Sequence, residues 1–195
     1  TEASDAAAFD HAANVVAKIN GNDAAGLQQA GELFAKLSLS CRESAHAVQH
    51  AMRLATSELP SVQHFGLKLI QNWIQPKSKH QFCTQWLALK TWLLDNLKNT
   101  PWDHAEVYVR GKFADTIVSV CKLDWPSAWP DLTTSLFSLD QSLSFALIGL
   151  AIWTRLAECL GEDSKDLTAA RRREIAQGIA RHFEEPSEAP IFVVT

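Results

Sequence analysis

Apolar residues recur every three or four positions along almost the whole chain. The first such stripe is Phe9, Ala12, Val16 and Ile19, and an Asn-Gly pair follows it. This spacing places the apolar side chains on one face of an α-helix. Similar stripes lie within residues 27–37, 45–55, 62–73, 82–97, 107–121, 132–136 and 167–183, and residues 141–160 are almost wholly apolar. The pattern therefore predicts nine helices joined by short linkers.

The predicted helices pair off at about 40 residues per pair, which is the period of HEAT-type repeats. Helices of this kind bury their apolar faces only when neighbouring pairs stack. We therefore expect an all-α fold, a HEAT-repeat superhelical solenoid of about four and a half antiparallel helix pairs over residues 1–184. Residues 185–195 are predicted to be an irregular tail or a truncated next repeat. An ordinary helical bundle is the alternative.

The clearest break in this pattern is the octet Asp-Trp-Pro-Ser-Ala-Trp-Pro-Asp at residues 124–131. Proline lacks an amide hydrogen and disfavours the helical conformation of the residue before it. We expect Pro126 to stop the long helical pattern and Pro130 to suit the first turn of the next helix. Trp125 and Trp129 would then pack at a rigid corner between helices, which is a structural role rather than a binding role.

Two shorter segments predict where helices begin. Asn22-Asp23 precedes the second stripe and supplies a capping side chain. Thr100-Pro101-Trp102-Asp103 combines a capping hydroxyl, a first-turn proline and an early carboxylate. This second segment predicts that the sixth helix begins near residue 103.

Composition narrows the class of protein. An apolar fraction of 47% predicts a packed interior, and a net charge of −4 argues against a nucleic-acid clamp along the whole chain. The longest apolar run, residues 145–153, is too short to span a membrane, so a buried helix is expected there and no membrane association. The first turn is acidic and no long apolar stretch follows it, so no secretory signal is predicted.

No cofactor, metal or catalytic site is predicted. Cys41, Cys83, Cys121 and Cys159 fall on apolar helical faces, as buried thiols of a reducing compartment do. His46 and His50 are one helical turn apart and near Cys41, but no fourth ligand stands at a spacing typical of zinc sites. The chain has no glycine-rich phosphate loop and no nucleophile elbow, so we do not expect an enzyme.

Three segments carry a resemblance to a known family. Residues 109–132, an amphipathic helix that ends in the double Trp-Pro, are similar to the third-repeat signature of the exportins, a branch of the importin-β superfamily. Residues 62–71, Val-Gln-His-Phe-Gly-Leu-Lys-Leu-Ile-Gln, resemble the inner helix of the second exportin repeat. Residues 171–175, Arg-Arg-Arg-Glu-Ile, resemble an element of the exportins that carry structured RNA. The loops at 74–77 and 122–124 depart from the usual exportin sequence.

The resemblance implies the first repeats of a larger, monomeric receptor that shuttles between nucleus and cytoplasm. Such a receptor binds Ran in its GTP form together with cargo, and it passes the pore through contacts with nuclear pore proteins. For the RNA-carrying exportins the cargo is precursor microRNA or other structured double-stranded RNA, including tRNA in some lineages. The nucleotide is held by Ran, so no cofactor is implied for this chain. The alternatives are an exportin for proteins with leucine-rich export signals, and a HEAT scaffold that binds no GTPase.

The resemblance also implies which residues would bind these partners. Ran would contact polar side chains on the exposed stripe of the second helix of each pair: Gln28, Glu32, His64, Lys68, Gln71, Asn72, Arg110, Asp115 and Ser119. Arg171, Arg172 and Arg173 would reach RNA phosphates, because double-stranded RNA is recognised mainly through its backbone and shape. For each of these residues the alternative is an ordinary solvated helix position, with Glu174 as the intrahelical partner of the arginines.

Overall fold

The computed structural model describes residues 2–19, 23–137, 143–161 and 167–184, and these residues form ten α-helices and no strand. The predicted tail at 185–195 lies outside the described residues. The helices are α1 Glu2–Lys18, α2 Ala24–Glu43, α3 Ala45–Leu54, α4 Pro60–Trp73, α5 Pro76–Gln81, α6 Cys83–Asn99, α7 Val107–Asp124, α8 Asp131–Phe137, α9 Leu143–Leu160 and α10 Ala169–Glu184.

The helices stack in two rows. The inner row consists of α2, α4, α7 and α9, and each packs against the next. In the outer row α1 packs on α3, α3 on α6, and α6 on α8, while α10 begins a fifth pair against α9. A single apolar core runs between the rows from Phe9 to Ile175. This arrangement confirms the predicted all-α, HEAT-like solenoid.

Helix α5 is absent from the sequence prediction. Its six residues, Pro-Lys-Ser-Lys-His-Gln, carry no apolar stripe, so the periodicity that marks the other helices is missing. Tertiary contacts hold it instead. The buried hydroxyl of Ser78 donates to the Trp73 carbonyl at 2.6 Å, and Lys79 forms an ion pair with Asp124 at 2.7 Å.

The start of α7 was wrongly predicted, since the helix begins at Val107 rather than near residue 103. Residues 101–104 form a turn in which the His104 amide donates to the Pro101 carbonyl at 3.1 Å. The turn buries Trp102, whose ring centroid lies 4.3 Å from that of Phe113 and whose indole nitrogen donates to the Leu97 carbonyl at 3.2 Å. Burial of one indole therefore outweighs the local helix-start signals. At α2, by contrast, Asp23 is the N-cap and accepts from the Gly26 amide at 2.8 Å.

The Trp-Pro octet forms the corner between α7 and α8. Helix α7 ends at Asp124, and Trp125 is its C-cap in an extended conformation. Trp125 and Trp129 are both 2% exposed, and the Trp125 indole donates to the Thr133 hydroxyl at 2.6 Å. The two rings thus lie in the core, where they fix the direction in which α8 leaves α7.

The inner and outer rows approach each other closely at Gly66. A Cβ atom at this position of α4 would lie 2.4 Å from the Ala55 amide nitrogen and 2.8 Å from the Ala51 carbonyl oxygen, both on the backbone at the end of α3. No side chain fits at such distances, so glycine permits this helix crossing. The crossing sets the position of α4, which carries much of the candidate site.

Helix α9 is longer than the apolar run at its centre. Leu143–Leu160 spans 18 residues with a mean hydropathy of 1.5, which is long and apolar enough to cross a membrane by length and composition. The prediction that no segment reaches that length was therefore wrong. In the structure Phe145, Ile148 and Ile152 are buried, and the helix packs on α6, α7 and α10. Only 28% of this segment is buried, so the expectation of a buried helix is met only in part.

Candidate partner-binding surface on the inner row

A polar network joins α4 to α7 on the exposed face of the inner row. The Lys112 ammonium donates to Gln71 Oε1 at 3.0 Å, and Gln71 Nε2 donates to the Ser119 hydroxyl at 3.5 Å. The Ser119 hydroxyl in turn donates to the Asp115 carbonyl at 2.8 Å. The structure therefore brings together Gln71, Asp115 and Ser119, three of the residues predicted to bind a GTPase.

The same network continues to α9 through Asp115. Its carboxylate lies 3.2 Å from Lys112 Nζ and 3.0 Å from Arg155 Nε, and Arg155 Nη1 lies 2.9 Å from Glu158. The hydrogen bond with Glu158 and the charge of Asp115 raise the pKa of Arg155. Lys112, Arg155 and Glu158 were missed by the sequence prediction, although the i,i+3 spacing of 112 with 115 and of 155 with 158 is typical of intrahelical ion pairs.

An open groove of about 310 Å³ lies over this network, lined by Gln71, Asp115, Val118, Ser119, Lys122, Arg155, Glu158 and Cys159. It carries two acidic and two basic side chains, so it presents both signs of charge within one small area. Such a groove can bind a polar protein loop through several charge-assisted hydrogen bonds.

Two further predicted residues, His64 and Lys68, lie one turn apart along α4. The His64 ring meets the Tyr108 ring edge to face, with centroids 5.3 Å apart, and Lys68 Nζ lies 5.0 Å from the Phe34 centroid. Burial, followed by the charges of Lys112 and Lys68, lowers the pKa of His64.

The remaining predicted residues of the inner row lie apart from the network. Gln28 donates to Glu32 at 3.1 Å along the exposed face of α2. Asn72 accepts from Arg42 at 3.4 Å. Arg110 donates to the Trp102 carbonyl at 2.9 Å, so its guanidinium is directed toward the turn before α7.

Arg171, the first residue of the arginine triplet, contacts the Trp-Pro corner at the end of α7. Arg171 donates from Nε to the Lys122 carbonyl at 2.9 Å and from Nη2 to the Cys121 carbonyl at 2.9 Å. Nη2 also donates to the Trp125 carbonyl, and Nη1 pairs with Glu174. A cation that binds the last carbonyls of a helix stabilises that end. Arg171 thus caps α7 from α10, a role that its sequence context does not indicate.

The other two arginines are directed elsewhere. Arg172 donates to the Gly161 carbonyl at 3.3 Å, whereas Arg173 is exposed to solvent. Contact of the triplet with RNA remains a prediction, and Arg173 is the residue best placed to make it.

A buried polar cluster surrounds Asp124, and no local sequence pattern indicates it. The carboxylate is 1% exposed and accepts from the Trp86 indole at 2.9 Å and from Lys90 at 2.9 Å, with Lys79 at 2.7 Å. Burial raises the pKa of Asp124, but the hydrogen bonds from Lys79, Trp86 and Lys90 outweigh it, and the pKa lies below its ordinary value. The cluster joins α5, α6 and α7 through buried contacts, so its role is structural.

Within the described part of the chain, no three His, Cys, Asp or Glu side chains are grouped so that they could hold a metal ion. His46 Nδ1 lies 4.0 Å from Glu2, and the His50 ring packs on Phe9 with centroids 5.5 Å apart.

Comparison with known proteins gives a distant similarity. No family model matches the chain. The chain is 25% identical to human Exportin-5 over 137 residues, which is 68% of this chain and 11% of Exportin-5. The chain thus spans about a tenth of the length of the relative that it matches. It is distantly similar to an exportin, in agreement with the resemblance of residues 62–71, 109–132 and 171–175.

Proposed function

We propose that this chain is the Ran-GTP-binding N-terminal part of a nuclear export receptor that carries structured double-stranded RNA, such as precursor microRNA, from nucleus to cytoplasm. The observation that carries this proposal is the similarity to Exportin-5 over 137 residues. In this role the chain is a binding protein and not an enzyme, the nucleotide belongs to Ran, and nuclear pore proteins are further partners.

The polar network of the inner row supports the proposal. Gln71, Lys112 and Asp115 already hold one another through hydrogen bonds and ion pairs. Side chains fixed before binding lose less conformational entropy when a partner docks. A switch GTPase orders its loops only with GTP bound, so a preorganised surface selects that state.

The first test is nucleotide-dependent binding. The purified protein is titrated with Ran loaded with a non-hydrolysable GTP analogue and, separately, with Ran·GDP, and both affinities are measured by calorimetry. We expect at least tenfold tighter binding of the GTP form. Equal affinity for the two forms would contradict the proposal.

Variants then test the surface. Gln71→Ala removes the side chain that links α4 to α7, and we expect it to weaken Ran·GTP binding. Lys98→Ala, at an exposed position of α6 in the outer row, is the matched control and should bind normally. If both variants bind Ran·GTP like the wild type, Gln71 is a solvated position and the GTPase docks elsewhere.

The cargo class is tested by competition. A hairpin RNA and a leucine-rich export peptide are each added to the complex of the protein with Ran·GTP. We expect the hairpin RNA to stabilise the complex. Stabilisation by the peptide alone would favour an exportin of protein cargo, and absence of any Ran complex would favour a HEAT scaffold.

A further inference from the structure

An apolar strip crosses the inner row next to the polar network, at the end where α4, α7 and α9 begin. We define the strip as Leu27, Val107, Tyr108, Leu147 and Leu150. Val107 is 72% exposed, Leu150 66% and Leu27 53%, which are high values for large apolar side chains. Exposed apolar side chains grouped in one area typically mark an interaction site.

Two cavities open into the surface along the strip. One, of about 390 Å³, lies between α7 and α9 and is lined by Val107, Leu147 and Leu150 among others. The second, of about 250 Å³, is lined by Leu27 and Tyr108 among others. Because Val107 and Tyr108 are consecutive residues, the cavities lie on either side of one helix.

Gly111 lines the cavity between α7 and α9. A Cβ atom built at this position would meet no atom within 4 Å, in contrast to the tight crossing at Gly66. The space above Gly111 is therefore open to an incoming side chain.

The charges that line both cavities are positive. Arg110 and Arg155 line the first and Lys68 lines the second, and among the described residues neither lining contains Asp or Glu. Arg155 already forms ion pairs with Asp115 and Glu158. Arg110 donates to a backbone carbonyl and Lys68 lies over the Phe34 ring, so neither of these two contacts supplies a negative charge.

We propose that the strip binds an acidic amphipathic helix of a partner protein, with one apolar anchor in each cavity. Adjacent packed helices lie about 8–10 Å apart, and residues i and i+7 of a helix are about 10.5 Å apart, so one helix face can reach both cavities. Carboxylates beside the anchors would pair with Lys68 and Arg110. The apolar residues of the strip lie outside the polar network, which shares only Arg155 with the cavity between α7 and α9.

The lining favours a protein segment over single-stranded nucleic acid. Bases bind through stacking on open aromatic faces. Here the lining is largely aliphatic, and the Tyr108 ring already meets His64 edge to face at an interplanar angle of 77°.

The test uses a defined probe, an 18-residue fluorescein-labelled helical peptide with Leu at positions i, i+3, i+7 and i+10 and Glu at most others. Binding to the purified protein is followed by fluorescence anisotropy. Gly111→Leu fills the first cavity, and we expect it to weaken binding at least tenfold. Ala88→Leu adds the same side chain at an exposed position of α6 in the outer row, and it should bind like the wild type. Circular dichroism verifies that both variants are folded.

Three results would overturn the proposal. The first is that the wild-type protein does not bind the probe saturably. The second is that a peptide with Lys in place of Glu binds the wild-type protein as tightly as the probe does. The third is that Gly111→Leu and Ala88→Leu bind the probe with the same affinity. A fourth result, loss of hairpin RNA binding in Gly111→Leu with peptide binding intact, would assign the strip to nucleic acid instead.

Discussion

The carboxylate of Asp124 accepts a 2.9 Å hydrogen bond from the indole nitrogen of Trp86, and both side chains are buried. Lys90 completes the arrangement, since its ammonium donates both to this carboxylate and to the Ala128 carbonyl in the Trp-Pro corner. One acidic side chain thereby fixes the end of α7 against α6.

Replacement of Asp124 by alanine should strongly destabilise the protein. The substitution leaves the Trp86 indole and the mostly buried Lys90 ammonium without their shared acceptor, and loss of one partner of a buried ion pair costs about 3–5 kcal/mol. Lys79 is one-third exposed and can recover water, so we expect the lower end of that range. Urea denaturation measures the change. Asp95→Ala, at an exposed position of α6, is the control and should change the free energy of unfolding by less than about 0.5 kcal/mol.

The contribution of Asp124 should also depend on pH. Its pKa is lower in the folded state than in the unfolded chain, so the stabilisation is fully present above the unfolded value of about 3.9. It is lost as the pH falls through the folded pKa. The difference in unfolding free energy between wild type and Asp124→Asn should therefore be constant from pH 7 to pH 5 and shrink below about pH 4. A difference that grows on acidification would contradict the assigned hydrogen bonds.

Two glycine substitutions should act in opposite directions. Gly66→Ala places a Cβ atom 2.4 Å from the Ala55 amide nitrogen, so α3 and α4 must separate. We expect the free energy of unfolding to fall by about 1–3 kcal/mol. Gly111→Ala meets open space in the second turn of α7 and should raise stability by up to about 1 kcal/mol through helix propensity. Thermal denaturation of the two variants in parallel distinguishes them. Equal effects would mean that the helix crossing is looser than described.

Substitutions at two positions of the arginine triplet should affect stability and RNA binding separately. Arg171→Met removes the hydrogen bonds to the Cys121, Lys122 and Trp125 carbonyls, and we expect a loss of about 1.5–3 kcal/mol in the free energy of unfolding. Arg173→Met should leave stability within about 0.5 kcal/mol but weaken hairpin RNA binding and reduce its salt dependence. The pair is compared by urea denaturation and by RNA titration at two salt concentrations. Unchanged RNA affinity in Arg173→Met would show that the arginine does not contact phosphate.

Much of the fold could be predicted because the signals are local. Apolar periodicity gives the helices, and Pro126 marks the end of α7 within two residues. The start of α7 could not be predicted, since local helix-start signals at 100–103 are overridden by burial of Trp102 against Phe113. Helix α5 lacks an apolar stripe and depends on the Lys79–Asp124 ion pair, whose partners are 45 positions apart.

Only part of the candidate site could be predicted, because its other contacts join residues that are far apart in the sequence. Spacing along α4 and α7 indicates that Gln71, Asp115 and Ser119 lie on one exposed face. It does not indicate that Arg155 of α9 reaches Asp115, because that contact depends on how neighbouring pairs stack. The role of Arg171 was missed because the carbonyls it binds are 46 to 50 residues away in sequence.

The cap that Arg171 places on α7 has a consequence for how the array unfolds. In an ideal repeat protein each unit touches only its immediate neighbours, and unfolding can begin at either end one unit at a time. Here α10 belongs to the fifth helix pair but holds carbonyls of the third. Detachment of α10 therefore exposes the end of α7 as well as the side of α9, and the third, fourth and fifth pairs should unfold as one cooperative block.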